Sequence, residues 1–164
     1  MTERRLALIR HAKSSWKDPG ASDHDRVLNK RGRRDAPAMA AELARRGWTP
    51  DAVVSSSARR TRETWERMAD AFDEVSLTST GTLYLAGLPE IRHVARDWDD
   101  EWETVFVFGH NPGWSAAASA LSGTLLEMTT GNCALLVGDG DTWSEALDRD
   151  WDLEALLRPR EPQT

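Results

Sequence analysis

The residues able to do chemistry stand directly behind apolar runs. "LALI" (6–9) runs into Arg10 and His11, "AVVSS" (52–56) into "SARRTRET" with Arg59 and Arg60, and "VFVFG" (105–109) into His110, Asn111 and Pro112. A charged pair at the end of a buried strand either caps it at the surface or faces a partner that offsets its desolvation. Guanidinium forks match carboxylate or phosphate oxygens, and a neutral imidazole beside a phosphorus centre can act as a nucleophile. Two arginines and two histidines around one pocket would suit phosphoryl transfer, one histidine attacking in line and the other donating to the oxygens, with no metal required. Each segment alone is unremarkable, so the reading needs all three endings to converge.

The elements between them predict that convergence. Residues 33–47, "RRDAPAMAAELARRG", read as a helix with Ala36, Met39, Ala40 and Leu43 on one face and Gly47 closing it. Strand-like "DAVVSS" (51–56) follows, then a helix over 58–72 that places Trp65, Met68, Ala69 and Phe72 at core spacing. "LPEIRHVARDW" (88–98) repeats the helical pattern. "TVFVFG" (104–109) is a strand of the kind covered on both faces, and Pro112 suits the first turn of the helix after it. In the tail, "NCALLVG" reads as a strand, with "TWSEAL" and "WDLEALLRP" as hairpin strands at a sheet edge. Strands alternating with helices imply an α/β three-layer sandwich, a mainly parallel sheet with helices on both faces. Ligands gather at the carboxyl ends of such strands, and parallel strands put the three charged endings on one edge.

The 164 residues fit a single domain, 1–164. No apolar run approaches the roughly 18 residues a membrane helix needs. The N-terminal stretch has only four apolar residues and no small-residue cleavage site, so it does not read as a signal peptide and the expected compartment is the cytoplasm. The single cysteine, Cys133, excludes an intramolecular disulfide and a cysteine-based zinc cluster. Net charge is −6, but residues 1–68 carry 16 Lys or Arg against 9 Asp or Glu, and residues 69–164 carry 5 against 18. That split favours a small anionic target over a nucleic acid. No acidic or cysteine partner stands at ligand spacing to His11 and His110, and adjacent arginines repel a cation, so neither metal nor cofactor is expected. Lys13 and Lys17 either extend the anion-binding edge or are simply solvated.

"LIRHAKSSW", "SSSARRTRET" and "FGHNPG" together resemble the histidine phosphatase superfamily, of phosphoglycerate mutase-like fold, and within it the small phosphohistidine phosphatases of the SixA type. "SDHDRVLNKRGRRDA" is similar to the family's stretch between first motif and first helix, so the likeness covers nearly the whole chain. The resemblance implies that His11 is transiently phosphorylated, that Arg10 binds the phosphoryl group, and that His110 is the second histidine. In the family the other arginine heads a pattern of arginine, small residue, two variable residues and threonine, which "RTRET" places at Arg60 with Thr64, leaving Arg59 a neighbour. Arg10, Arg60, Lys13 and Asn111 are the expected substrate-binding residues.

Ester-cleaving relatives carry a carboxylic acid for the leaving oxygen. Glu90, Asp18 and Asp25 are candidates here, and none has a decisive setting. A phosphorylated imidazole has a weak P–N bond whose nitrogen can take its proton from water, so a missing acid tilts the expectation toward phosphohistidine in a signalling or phosphotransfer protein. The alternatives are a phosphomonoesterase or mutase on a small metabolite, or a non-catalytic module that recognises phosphate. Nothing in the sequence sets the oligomeric state.

Overall fold

In the computed structural model, which describes residues 2–159, one six-stranded sheet runs through the molecule in the order β3-β2-β4-β1-β5-β6. The elements follow as β1 (Glu3–Arg10), α1 (Lys30–Arg45), β2 (Ala52–Ser56), α2 (Arg59–Met68), β3 (Leu77–Thr80), α3 (Leu88–Ala95), β4 (Thr104–Gly109), α4 (Gly113–Ser122), β5 (Cys133–Asp139), α5 (Trp143–Leu147) and β6 (Asp152–Leu157). β3, β2, β4 and β1 run parallel to one another, whereas β5 pairs antiparallel with both β1 and β6. The fold is therefore α/β with a mainly parallel sheet, as the alternation of apolar runs predicts.

Side-chain alternation along β1 feeds two separate cores, because successive residues on a strand point to opposite faces. Ala7 and Ile9 join Phe106 and Phe108 of β4 beneath α1 and α2, where Met39, Leu43, Trp65 and Met68 are buried. Leu6 and Leu8 join Val105 and Val107 on the other face, covered by Ile91 of α3, Trp114 and Leu121 of α4, and Trp143 of α5. With helices on both faces the central strands have no solvent side, which is why "LALI" and "VFVF" carry no polar residue.

The helix ends are marked in the sequence. Asn29 Oδ1 accepts from the Gly32 N–H at 2.9 Å to open α1, and Gly47, at φ +77°, takes the left-handed position just beyond its end. α2 and α3 are shorter than their apolar patterns and finish at Met68 and Ala95, although Trp98 remains buried.

"TWSEAL" is a correction: it is helix α5, not a strand of a hairpin. Trp143, Ala146 and Leu147 lie at spacings of three and four and are all buried, and Thr142 Oγ1 caps the helix by accepting from the Glu145 N–H at 3.0 Å. Only β6, from the "WDLEALLRP" stretch, forms the antiparallel edge against β5. Among the described residues no helix is long and apolar enough to cross a membrane.

Candidate active site

β1 and β4 run side by side with Arg10 opposite Gly109, so His11 and His110 leave the same edge of the sheet together. The His11 N–H donates to the Gly109 carbonyl at 3.1 Å, and the two imidazole rings stand 5.4 Å apart, tilted by 55°. β2 ends at the same edge with Ser56, and α2 begins three residues later. The three charged endings do converge.

His11 is only 6 % exposed. Its Nδ1 lies 2.7 Å from the Ala12 carbonyl oxygen, which can only accept. Nδ1 therefore carries the proton of the neutral ring, and Nε2 keeps the lone pair. Burial, more than any neighbour, pushes the His11 pKa down to about 3; Arg60, His110 and Arg10 act in the same direction, while the bond to Ala12 opposes them. Near neutral pH the imidazole is uncharged.

Thr64 ties this strand exit to the first turn of α2. Its Oγ1 accepts from the Ala12 N–H at 3.0 Å and donates to the Arg60 carbonyl at 2.7 Å. The threonine of "RTRET" thereby sets the distance between His11 and Arg60. The Arg60 side chain is buried and all three of its nitrogens are engaged: Nε donates to His11 Nε2 at 3.3 Å, Nη1 to the Asp23 carbonyl at 2.7 Å, and Nη2 to Asp23 Oδ2 at 3.1 Å.

His110 is 1 % exposed, with Nε2 2.8 Å from Ser56 Oγ and Nδ1 without a hydrogen-bond partner among the described residues. Burial is again the largest cause of a pKa lowered to about 3, followed by Arg60. Arg10 is half-buried; its Nη1 donates to the Met128 carbonyl at 2.9 Å, while its buried Nε has no partner there. Its pKa lies below the usual arginine value through burial first and the charge of Arg60 second. A buried imidazole nitrogen and a buried guanidinium N–H left unpaired are costly unless a ligand meets them.

These groups line a cleft of about 180 Å³. Arg10, Arg26, Arg60 and Lys13 supply four cations to its walls, His11 and His110 stand between them, and no described carboxylate reaches the lining. Asp23 stands behind the arginines, accepting also from Arg26 Nε at 3.2 Å and from the Tyr84 hydroxyl. The Tyr84 bond, ahead of Arg60 and Arg26, holds the Asp23 carboxyl down at about 2, so it is ionised and has no proton to give. The Tyr84 ring meets His110 edge-on at 5.5 Å. A concave, cationic, acid-free cleft with a neutral imidazole at its base suits a small dianion presented to a nucleophile.

Of the residues singled out from sequence, Arg10, His11, Arg60 and His110 meet in this cleft. Lys13 stands exposed on its rim, whereas Lys17 does not line it. Asn111 lines the cleft, but its amide also braces the loop beside it, donating to the Met128 carbonyl at 2.7 Å and accepting from Ser115 N–H at 3.1 Å. None of the three candidate acids reaches the cleft. Glu90 accepts from Gly87 N–H at 2.7 Å as part of a helix cap, Asp18 accepts from Gly20 N–H at 3.0 Å, and Asp25 accepts from Ser22 Oγ at 3.1 Å. Sequence reasoning passed over Asp23, Arg26, Ser56 and Tyr84. Asp23 and Arg26 both lie inside the family-like stretch "SDHDRVLNKRGRRDA", the one signal that could have directed attention to them.

A family model described as histidine phosphatase superfamily (branch 1) matches residues 6–103. An uncharacterised chloroplastic protein of Arabidopsis thaliana is 38 % identical over 170 residues, taking in 95 % of this chain and 78 % of the relative. Among solved structures, a protein assigned as phosphohistidine phosphatase SixA from Nakamurella multipartitia is 27 % identical, with a TM-score of 0.85 over 98 % of this chain and 99 % of the other. One with the same assignment from Agrobacterium tumefaciens is 28 % identical, with a TM-score of 0.78 over 95 % of this chain and 98 % of the other.

Proposed function

The chain belongs to the histidine phosphatase superfamily, branch 1, is of its SixA type and is a phosphatase, and from that premise we propose that it hydrolyses phosphohistidine, without a metal, through an intermediate phosphorylated on His11. The observation that carries this reading is the bond from His11 Nδ1 to the Ala12 carbonyl, which leaves Nε2 as the ring's lone-pair nitrogen beside Arg60 in the cleft.

In the proposed reaction Arg10, Arg60 and His110 bind the phosphoryl oxygens. The lone pair of His11 Nε2 attacks phosphorus and the P–N bond of the substrate breaks, the departing imidazole nitrogen keeping the bonding pair and taking a proton from water. The hydroxide left by that proton transfer then attacks the phosphorus on His11, Nε2 recovers its pair, and hydrogen phosphate leaves. Each guanidinium contributes by neutralising charge on the equatorial oxygens.

The acid-free lining favours this substrate over a phosphate ester. An alkyl ester must expel an alkoxide, which needs a proton at the moment of cleavage; no described carboxylate lines the cleft, and Asp23, bonded to Arg60 beside it, is held ionised. The physiological substrate in this reading is a protein phosphorylated on histidine.

The test is metal-free hydrolysis of a phosphohistidine peptide beside p-nitrophenyl phosphate and an alkyl phosphate, in wild type and His11→Ala, with rapid quenching to trap phosphoenzyme. Turnover favouring phosphohistidine, with an acid-labile phosphoenzyme that needs His11, is the expected result. Equal or faster hydrolysis of the alkyl phosphate would remove the substrate assignment, and undiminished turnover in His11→Ala would remove the nucleophile.

A further inference from the structure

We propose that Ser56 is a positioning residue that decides which nitrogen of His110 carries the proton, so that the neutral ring offers an N–H from Nδ1 to the phosphoryl group. The inference deepens the proposed function and rests on it only for what that N–H meets; the protonation pattern itself is a property of the empty site.

The argument is an accounting of protons. Ser56 is the last residue of β2, which lies beside β4 with Ser55 opposite Phe108, so Ser56 and His110 leave adjacent strand ends. Ser56 is fully buried, and its backbone carbonyl accepts from the Ser55 hydroxyl at 2.8 Å. Among the described residues its Oγ has two hydrogen-bond partners, the Ala58 N–H at 3.2 Å and His110 Nε2 at 2.8 Å.

The Ala58 N–H can only donate, so it occupies a lone pair of Oγ. A serine hydroxyl has one proton, and His110 Nε2 is the acceptor placed to receive it. If Nε2 accepts, it holds no proton, and a neutral imidazole must then carry its proton on Nδ1. That nitrogen is the one found buried and without a partner. The opposite tautomer fails twice. It would strand the Ser56 hydroxyl proton in a buried site, and any phosphoryl oxygen that reached Nδ1 would meet a lone pair that repels it. Burial beside Arg60 and Arg10, which disfavours an imidazolium, keeps the choice one between neutral tautomers.

The bond from Ser56 thus stands to His110 as the Ala12 carbonyl stands to His11, with the opposite polarity. Ala12 accepts from Nδ1 and frees a lone pair for attack; Ser56 donates to Nε2 and prepares a donor. Two neutral histidines in one cleft are given different tasks by one backbone carbonyl and one hydroxyl.

The test is long-range ¹H–¹⁵N NMR of the ligand-free protein at neutral pH, with His110 assigned by the signal missing in His110→Gln, joined to kinetics of Ser56→Ala and Ser56→Thr. The expected wild-type pattern is a proton on Nδ1 and a bare Nε2. Ser56→Thr, which keeps the hydroxyl, should preserve that pattern and most of the rate. Ser56→Ala should mix the tautomers and lower kcat/KM for phosphohistidine by roughly tenfold or more, a fraction of the loss when an oxyanion donor is removed outright. A wild-type proton on Nε2 overturns the proposal whether or not any variant folds. So does a Ser56→Ala protein in which the rate falls while the His110 pattern stays unchanged, because the serine would then be structural only. Should wild type show the Nδ1 proton yet hydrolyse no phosphohistidine, the proposed reaction fails and the tautomer assignment stands.

Discussion

Arg60 Nε donates to His11 Nε2 across 3.3 Å, so this cation rests on the very lone pair that must attack. An incoming phosphoryl oxygen is a stronger acceptor than a neutral imidazole and would draw that N–H to itself, uncovering the lone pair only when a substrate is present. The rest of the guanidinium cannot swing, because Asp23 holds both terminal nitrogens.

This arrangement makes the shape of Arg60 matter as much as its charge. Arg60→Lys keeps a cation but loses the planar fork, and kcat/KM should fall by about 10²–10³, the usual loss for one donor of a preorganised oxyanion site. Steady-state kinetics on a phosphohistidine peptide decide it: a near-wild-type rate in the lysine variant would mean that charge alone suffices.

Asp23 is expected to act as a brace and not as an acid. Asp23→Asn should lower kcat/KM by about tenfold, through loss of the charge that fixes Arg60, and leave the basic side of the pH–rate profile where it was. A general acid behaves differently, since its removal flattens that basic limb. Tyr84→Phe, which deletes the hydroxyl bond that does most to hold Asp23 ionised, should raise the Asp23 pKa, measurable by ¹³C NMR of the carboxyl.

Stability should fall as the pH drops below the ordinary histidine range. His11 and His110 are held at about 3 in the fold against an ordinary value of 6.5. Below 6.5 the unfolded chain gains protons that the folded chain refuses, so this contribution is whole above that pH, declines between 6.5 and about 3, and is exhausted below. Urea midpoints measured from pH 7 down to pH 5 should decrease, and the slope should be shallower in a His11→Gln, His110→Gln double variant. Equal slopes would show that these rings are charged in the fold.

Thr64→Val removes the acceptor of the Ala12 N–H while keeping the side chain's size. Both partners are buried, so a loss of roughly 1–3 kcal/mol in unfolding free energy is expected from the stranded donor. Because the same hydroxyl spaces His11 from Arg60, the folded fraction should also lose activity, and urea titration beside kinetics separates the two effects.

The meeting of His11, Arg60 and His110 is legible in the sequence because parallel topology is a strong rule. Once "LALI", "AVVSS" and "VFVFG" read as strands joined by helices, their carboxyl ends must share an edge. What escapes notice are the groups that adjust those residues. Asp18, Asp23 and Asp25 lie in one loop with similar neighbours, and only the path of that loop, closed by the Ser14–Leu28 bridge, puts Asp23 against Arg60 and leaves Asp25 on the surface. Ser56 reads as a routine strand end until the facing nitrogen of His110 is known. "TWSEAL" is too short for its period to declare itself; Trp143, Ala146 and Leu147 fit a helix face, while a looser reading sees alternation.

β1 lies between β4 and β5, with Ile9 opposite both Phe108 and Cys133. Neither neighbour has left the ribosome when "LALIRH" first emerges, so the strand that carries His11 must remain unpaired while most of the described chain is made. Pairing of this range is slow and late, and it exposes an apolar segment in the interval. Phosphatase activity in a growing chain should therefore switch on in a single step once β5 is free to dock, and a release series halted before Cys133 would yield chains that contain all four proposed site residues and no working site.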